Sequence, residues 1–324
     1  METKRPISVG AEDLLGKYFP VLDYGFVGLV DYMGTDETIE RSARVSYSGG
    51  GTRKVNQTRG LIRYLVNHQH SSPVEMGEFV LHMSMPIFAA RQWIRHRTAS
   101  LNEISGRYSV LPAVFYTPRQ DQFQKQSKDN KQGRDGELDL EFYQTTVDKW
   151  NKLREYSVDL YHDLTENELA RELARIDLPL SIYTQWYWKC DIRNILHLMS
   201  LRCDSHAQWE VRQYANVIAG MVKKAFPIIY ESWIDYDFQA RKFSRMERNV
   251  LSKLISAFIE KDDSLVLTTN EYSVVHPNDN FGLTKRELVE FMEKLEAPEL
   301  IDFELDMTQA KDGEHFRRLL EEKT

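Results

Sequence analysis

Apolar positions recur along this chain with two periods, and those periods lay out most of its elements. Residues 26–32 form a short run of strand-forming side chains. Residues 36–47 begin like a capped helix, with Thr35 three residues before Thr38 and acids in the first turn. Over 56–69, Leu61, Ile62, Leu65 and Val66 share one face of an amphipathic helix. The period changes over 78–85, where Phe79, Leu81, Met83 and Met85 alternate as in a half-buried strand. Pro86 then suits the first turn of a helix through 89–95.

Further on, residues 105–117 read as another strand. The helical period returns over 139–163 (Leu140, Tyr143, Val147, Trp150, Leu153, Tyr156, Leu160). A second helix over 166–176 ends before Pro179, and 180–188 reads as an aromatic-rich strand. Ile192, Ile195, Leu196 and Met199 mark the buried stripe of a helix. Asp204-Ser205 then opens another, with Ser205 and Gln208 spaced as a capping box, running to about Phe226. Helices are also expected over 247–261 and 284–295, the latter with a Thr284/Glu287 box.

Polar stretches divide the chain. Residues 1–19 read as a loose N-terminal arm, 20–240 as the main domain, and 241–324 as an extension of unknown role. Within the main domain, residues 119–137 are rich in Gln, Lys, Asp, Asn and Gly, the composition of a mobile surface insertion. Gly49-Gly50-Gly51 is not followed by the Gly-Lys-Ser/Thr of a phosphate loop and reads as a turn. From Glu287 onward twelve acids face five bases, so the extension is acidic. Pro277 occupies the first-ligand position of a calcium loop at 278–282, which excludes that motif.

Hydrophobic residues at 42% and aromatics at 11% suffice for a substantial core and exclude a disordered chain. The net charge is −7, yet the arginines cluster locally. That pattern suits a small anionic ligand better than a nucleic-acid track, so no nucleic-acid partner is expected. Cys190 and Cys203 are the two cysteines, with no CxxC, which points to a reducing, cytoplasmic compartment and away from structural zinc. His68-Gln-His70 with Glu75 lacks further ligands in sequence, and no metal is expected. No apolar run approaches the roughly 18 residues of a membrane span.

The densest chemistry lies in residues 91–109, RQWIRHRTASLNEISGRYS. Arg91, Arg95, Arg97 and Arg107 stand there beside one acid, Glu103. Arg91 and Arg95 are four apart, a spacing at which like charges repel on a helix, so an anionic ligand is the simplest reason to keep both. The other reading is a solvated basic helix running into a polar loop. A second block, DIRNILHLMSLRCDSHAQWE at 191–210, sets Arg193 and His197 four apart on a face distinct from its buried stripe.

Arg95-His96-Arg97 followed by Asn102-Glu103, Ser105 and Arg107-Tyr108 resembles the first signature of the flavin-dependent thymidylate synthases. The second block resembles the same family's later signature, a short helix and then LRxDSHAQWE. The resemblance covers about residues 20–240. It implies an α+β fold with a mixed sheet and long helices, like the thymidylate synthase complementing proteins, assembled as a homotetramer with sites shared between subunits. It also implies reductive methylation of dUMP to dTMP, with methylenetetrahydrofolate as carbon donor, NADPH as reductant and FAD as the bound cofactor. Carried over by motif, Ser72, Arg95, His96, Arg97, Glu103, Asp191, Ile192, Arg193 and His197 are expected at FAD. Gln92, Trp93, Ile94, Arg95, Glu103, Ile104, Ser105, Gly106, Arg107, Arg175 and Arg202 are expected at dUMP. Asp191 stands where family members often have Asn, and Ser72 where Thr is common.

Arg202 is the expected catalytic residue. A fixed guanidinium stabilises the anion left on the uracil ring while being too basic to act as the base. Ser105 and Cys203 are the alternative nucleophiles of a classical uracil methylation, but a serine needs a positioned base and none is evident in sequence. A non-catalytic nucleotide- or RNA-binding protein on the same fold is the other functional reading.

Overall fold

The computed structural model describes residues 5–46, 57–128, 132–260, 267–268, 273–274, 285–295 and 300–322. The triple-glycine turn, the loop at 278–282 and the Thr284 cap lie outside them. The chain forms two compact units, Met1–Trp233 with Phe303–Thr324, and Ile234–Asp302.

In the first unit, α1 (Val9–Glu12) precedes a hairpin of β1 (Lys17–Val21) and β2 (Gly25–Met33). Helices α2 (Asp36–Arg44) and α3 (Gln57–Asn67) lead to β3 (Glu78–Pro86), α4 (Ile87–Trp93) and β4 (Ser100–Glu103). A small hairpin of β5 (Gln124–Gln126) and β6 (Arg134–Glu137) comes before the long α5 (Leu140–Glu166), the short α6 (Arg171–Ala174) and β7 (Tyr183–Asp191). Helices α7 (Ile192–Arg202), α8 (Trp209–Ala225) and α9 (Pro227–Trp233) follow. The second unit holds α10 (Arg245–Glu260), the paired β8 (Leu267–Thr268) and β9 (Ser273–Val274), and α11 (Lys285–Leu295). The chain then returns to the first unit as β10 (Lys311–Asp312) and α12 (Gly313–Glu321).

Six strands form one sheet in the order β10-β1-β2-β3-β7-β4. Every pairing in it is antiparallel, which corrects the expectation of a mixed sheet. The connections joining β1 to β2 and β2 to β3 bring the chain back to the end it left, so neighbours run in opposite directions. Cross-strand register gathers the core on one face: Phe79 opposes Cys190, Leu81 opposes Trp188, and Met83 opposes Trp186. All six are buried. Against this face lies α8, whose Val211, Tyr214, Ala215, Ile218 and Val222 recur three or four apart and are buried. Fully burying a large apolar side chain is worth roughly 1.5–3 kcal/mol, so this layer holds the unit together. The opposite face carries His82 stacked on Tyr187, ring centroids 4.7 Å apart.

Segments near both termini belong to this core. Ala11 and Leu14 are fully buried, so the described part of the N-terminal segment, from residue 5, packs into the fold around them. At the other end Tyr18 pairs with Lys311, and Phe316 packs on Phe26 with centroids 4.7 Å apart. The extension marked at 241–324 is therefore not one appendage. The second unit has its own core at Val250 and Phe291, and Lys294 pairs with Glu247 at 2.6 Å.

Three local expectations change. The strand expected at 105–117 is replaced by β4, which lies just upstream at Ser100–Glu103. Pro112 and Pro118 interrupt any ladder there, and Phe115 makes only an isolated bridge to Ile182. Instead of a helix over 166–176, α5 runs to Glu166, Glu168 turns left-handed (φ 61°), and α6 starts at Arg171. The insertion at 119–137 contains the β5–β6 hairpin.

Candidate functional site

The fully buried Trp93 ring meets Trp188 edge-on at 5.7 Å and so anchors the end of α4. The chain then leaves the helix and carries Arg95, His96 and Arg97 into the loop before β4. Asp191 caps α7, accepting from Asn194 N at 2.9 Å and from Asn194 Nδ2 at 2.6 Å. Both carboxylate oxygens accept here, whereas an asparagine, with a single acceptor oxygen, would keep the cap but not the second bond. At the far end of α7, Arg202 Nε donates to His96 Nε2 at 3.0 Å.

That bond requires His96 to be neutral, with its proton on Nδ1. Burial, and then the charges of Arg202 and His197, push His96 down to about 4. The His197 ring stands 6.3 Å from it. With Nε occupied, the two terminal amino groups of Arg202 have no partner among the described residues. A guanidinium is thus aimed without being neutralised.

A second chain of polar contacts starts on α4. Gln92 Nε2 donates to Gln208 Oε1, and Gln208 Nε2 donates to Glu210 Oε2 at 2.9 Å. Glu210 is buried, and its Oε1 accepts from Tyr116 and from Arg134, each at 3.0 Å. The Ser205/Gln208 capping box does not form: α8 starts at Trp209, and the Gln208 amide is committed to side chains instead. Arg134 comes from β6, so the hairpin of the insertion is pinned to the start of α8. A cavity of about 820 Å³ lies between them.

A third group lies around Gly106. Glu103 accepts from Thr184 Oγ1, and Ile104 N donates to Gln185 O at 2.9 Å. Ser105 Oγ accepts from Arg107 N at 3.3 Å. Gly106 is buried, and a Cβ there would meet Leu111 at 2.9 Å and the Arg175 side chain at 3.1 Å. Arg107 pairs with Glu172 at 3.2 Å, both exposed.

Ser72 is exposed in the turn before the 3-10 segment Val74–Met76, which packs against α7. Ile192, like Trp93, is fully buried, so only the backbones of these two can face a ligand. Ile94 is exposed. The side chains of Arg95, Arg97, Arg175 and Arg193 make no hydrogen bond or ion pair among the described residues. No described hydrogen bond joins the Gln92–His96–Arg202 groups to Ser105, Arg107 or Arg175. Thr184, Gln208, Glu210 and Arg134 were not foreseen as site residues. Gln208 and Glu210 stand inside the second signature, so a signal existed for them; Arg134 lies in a stretch that reads as plain polar surface.

Residues 28–228 match the family described as thymidylate synthase complementing protein. The chain belongs to that family. A flavin-dependent thymidylate synthase of Ehrlichia ruminantium (strain Gardel) is 45% identical over 254 residues, 78% of this chain and 85% of that protein. One of Dictyostelium discoideum is 49% identical over 235 residues, 70% of this chain and 77% of that protein. Among solved structures, the UMP/dUMP methylase PolB of Streptomyces cacaoi bound with 5-Br dUMP aligns with a TM-score of 0.62 at 31% identity. That alignment covers 67% of this chain and 98% of PolB. The family match includes all three polar groups and ends before the second unit.

Proposed function

We propose that this chain is a flavin-dependent thymidylate synthase that methylates dUMP to dTMP. The observation that carries the reading is Arg202, held through Nε by a neutral His96 with its two terminal amino groups open. FAD fits the donors available: the unpaired Arg95, Arg97 and Arg193 offer cations for a diphosphate, and Ser72 a hydroxyl. When bound, the flavin supplies the reducing equivalents that complete the methyl group. NADPH is the proposed reductant, methylenetetrahydrofolate the carbon donor and the cytoplasm the compartment.

The protein's own part is binding, orientation and charge. Arg202 stabilises negative charge on the pyrimidine ring through its open fork. Arg175 and Arg107, around the tight turn at Gly106, take the nucleotide phosphate. The Ser105–Arg175 group and the Gln92–Arg202 groups are assigned to different subunits of a homotetramer, completing one pocket across a boundary, as the family resemblance implies. No side-chain nucleophile is used. Burial pushes the Cys203 thiol far up, and Ser105 Oγ accepts a backbone N–H and has no base among its described hydrogen-bond partners.

The test is the visible spectrum of the purified protein, taken with NADPH and dUMP, alongside dTMP formation from methylenetetrahydrofolate. A yellow protein whose absorbance bleaches and which forms dTMP supports the reading. A colourless protein that binds dUMP without turnover would leave the non-catalytic alternative.

A further inference from the structure

Three features outside the assigned roles converge on one residue. Glu210 is buried at the start of α8, Arg134 reaches it from the inserted hairpin, and Gln208 connects it to Gln92. We infer that Glu210 is a positioning residue that sets the amide polarity of Gln92, so that Gln92 presents its carbonyl oxygen to the nucleotide and takes a hydroxyl or N–H donor from it. The inference rests on the dUMP reading above.

The argument is one of donors and acceptors. A carboxylate paired with a guanidinium can only accept, so neither oxygen of Glu210 has a proton to offer. Its Oε1 is taken by Tyr116 and Arg134, leaving Oε2 to receive a donor from Gln208. Gln208 therefore turns its NH2 toward Glu210 and its oxygen toward Gln92. Gln92 must answer with its own NH2, which leaves its oxygen free. An isolated glutamine could flip, and nothing in its own shape would choose between donor and acceptor. Here one buried charge chooses for two amides in series. Arg134 holds that charge in place, which gives the insertion a role in orienting Gln92.

The same logic yields a reversal test. In Glu210→Gln the new amide keeps an oxygen toward Tyr116 and Arg134 and places NH2 toward Gln208. Gln208 then flips, Gln92 flips with it, and the nucleotide meets an NH2 instead of an oxygen. In Gln92→Glu the new carboxylate faces the Gln208 oxygen, and Glu210 forbids the flip that would relieve this. In the double variant the flip is allowed: Gln208 donates to the carboxylate introduced at position 92, whose other oxygen again faces the ligand. The holoenzyme and the three variants are compared by dUMP titration of the flavin spectrum, with melting temperature and flavin content as checks on folding.

Each single substitution is expected to weaken dUMP about tenfold, the scale of one lost hydrogen bond with an unpaired group left behind. The double variant should bind at least about threefold more tightly than Gln92→Glu alone, a non-additivity that a merely structural role would not produce. Losses that simply add, or a Glu210→Gln variant that binds dUMP like wild type, would overturn the relay while leaving the enzyme reading intact. Wild-type holoenzyme that fails to bind dUMP at all would overturn both.

Discussion

Arg202 and the set Arg95, Arg97 and Arg193 come from the same two sequence blocks and are held in opposite ways. Arg202 is half-buried and gripped at Nε by a neutral imidazole. The other three side chains have no internal polar partner among the described residues. A neutral acceptor fixes the direction of a guanidinium while leaving its charge whole, as transition-state stabilisation requires. Unpaired arginines keep their charge but not their direction, and a phosphate-bearing ligand then supplies the order. In the proposed site, one region is organised by the protein and the other is left for the ligand to order.

The largest expected effect comes from removing the aimed cation. Arg202→Ala should lower kcat by at least about a hundredfold, the scale of losing one preorganised donor. Arg202→Lys should recover little, because an ammonium cannot be gripped at one nitrogen and present a fork with two others. Near-normal turnover in either variant would erase the contrast between the two regions.

Next come the unpaired arginines. Arg95→Ala and Arg193→Ala should give folded protein with little bound flavin and the melting temperature of flavin-free wild type, since neither side chain has an internal hydrogen bond or ion pair to lose. Flavin content equal to wild type would remove these residues from the proposed pocket.

A smaller effect follows from His96. Its folded pKa, about 4, lies below the ordinary 6.5. Between those values the unfolded chain binds more protons than the folded one, so stability falls as pH drops through that window and is fully present above 6.5. Thermal melts of wild type and His96→Gln from pH 7 to 4 should diverge, wild type losing more toward the acid end. Parallel curves would show that His96 is not held neutral against Arg202.

The smallest effect separates the proposed chemistry from a nucleophilic one. Ser105→Ala should weaken dUMP binding by about 0.5–1.5 kcal/mol while keeping turnover, the value of one hydrogen bond. A covalent adduct trapped on Ser105 would contradict the assignment of all activation to Arg202.

Long elements with an unbroken period were legible before any coordinates. The β3 alternation, the capped α2 and the α7 stripe of Ile192, Ile195, Leu196 and Met199 all sit where periodicity places them. Elements whose boundaries depend on a distant partner were not. Ser100–Glu103 is a strand because β7 offers it a ladder, and the Ser205 cap fails because α8 starts only at Trp209 and the Gln208 amide is taken by Gln92 and Glu210.

By itself, the sequence determined the two signature blocks, the residue types at the site and the main helical and strand periods. Those properties are local, carried by neighbours three, four or two positions apart. Only the tertiary structure decided that Arg202 meets His96, 106 residues away, and that Arg134 reaches Glu210 across 76. It also decided that the last strand and helix return to the first unit, where β1 offers an open edge at Tyr18 and Phe26 an uncovered ring. Hydrogen-bond polarity and edge pairing depend on what the fold brings within about 3 Å, and no period along the chain encodes that distance.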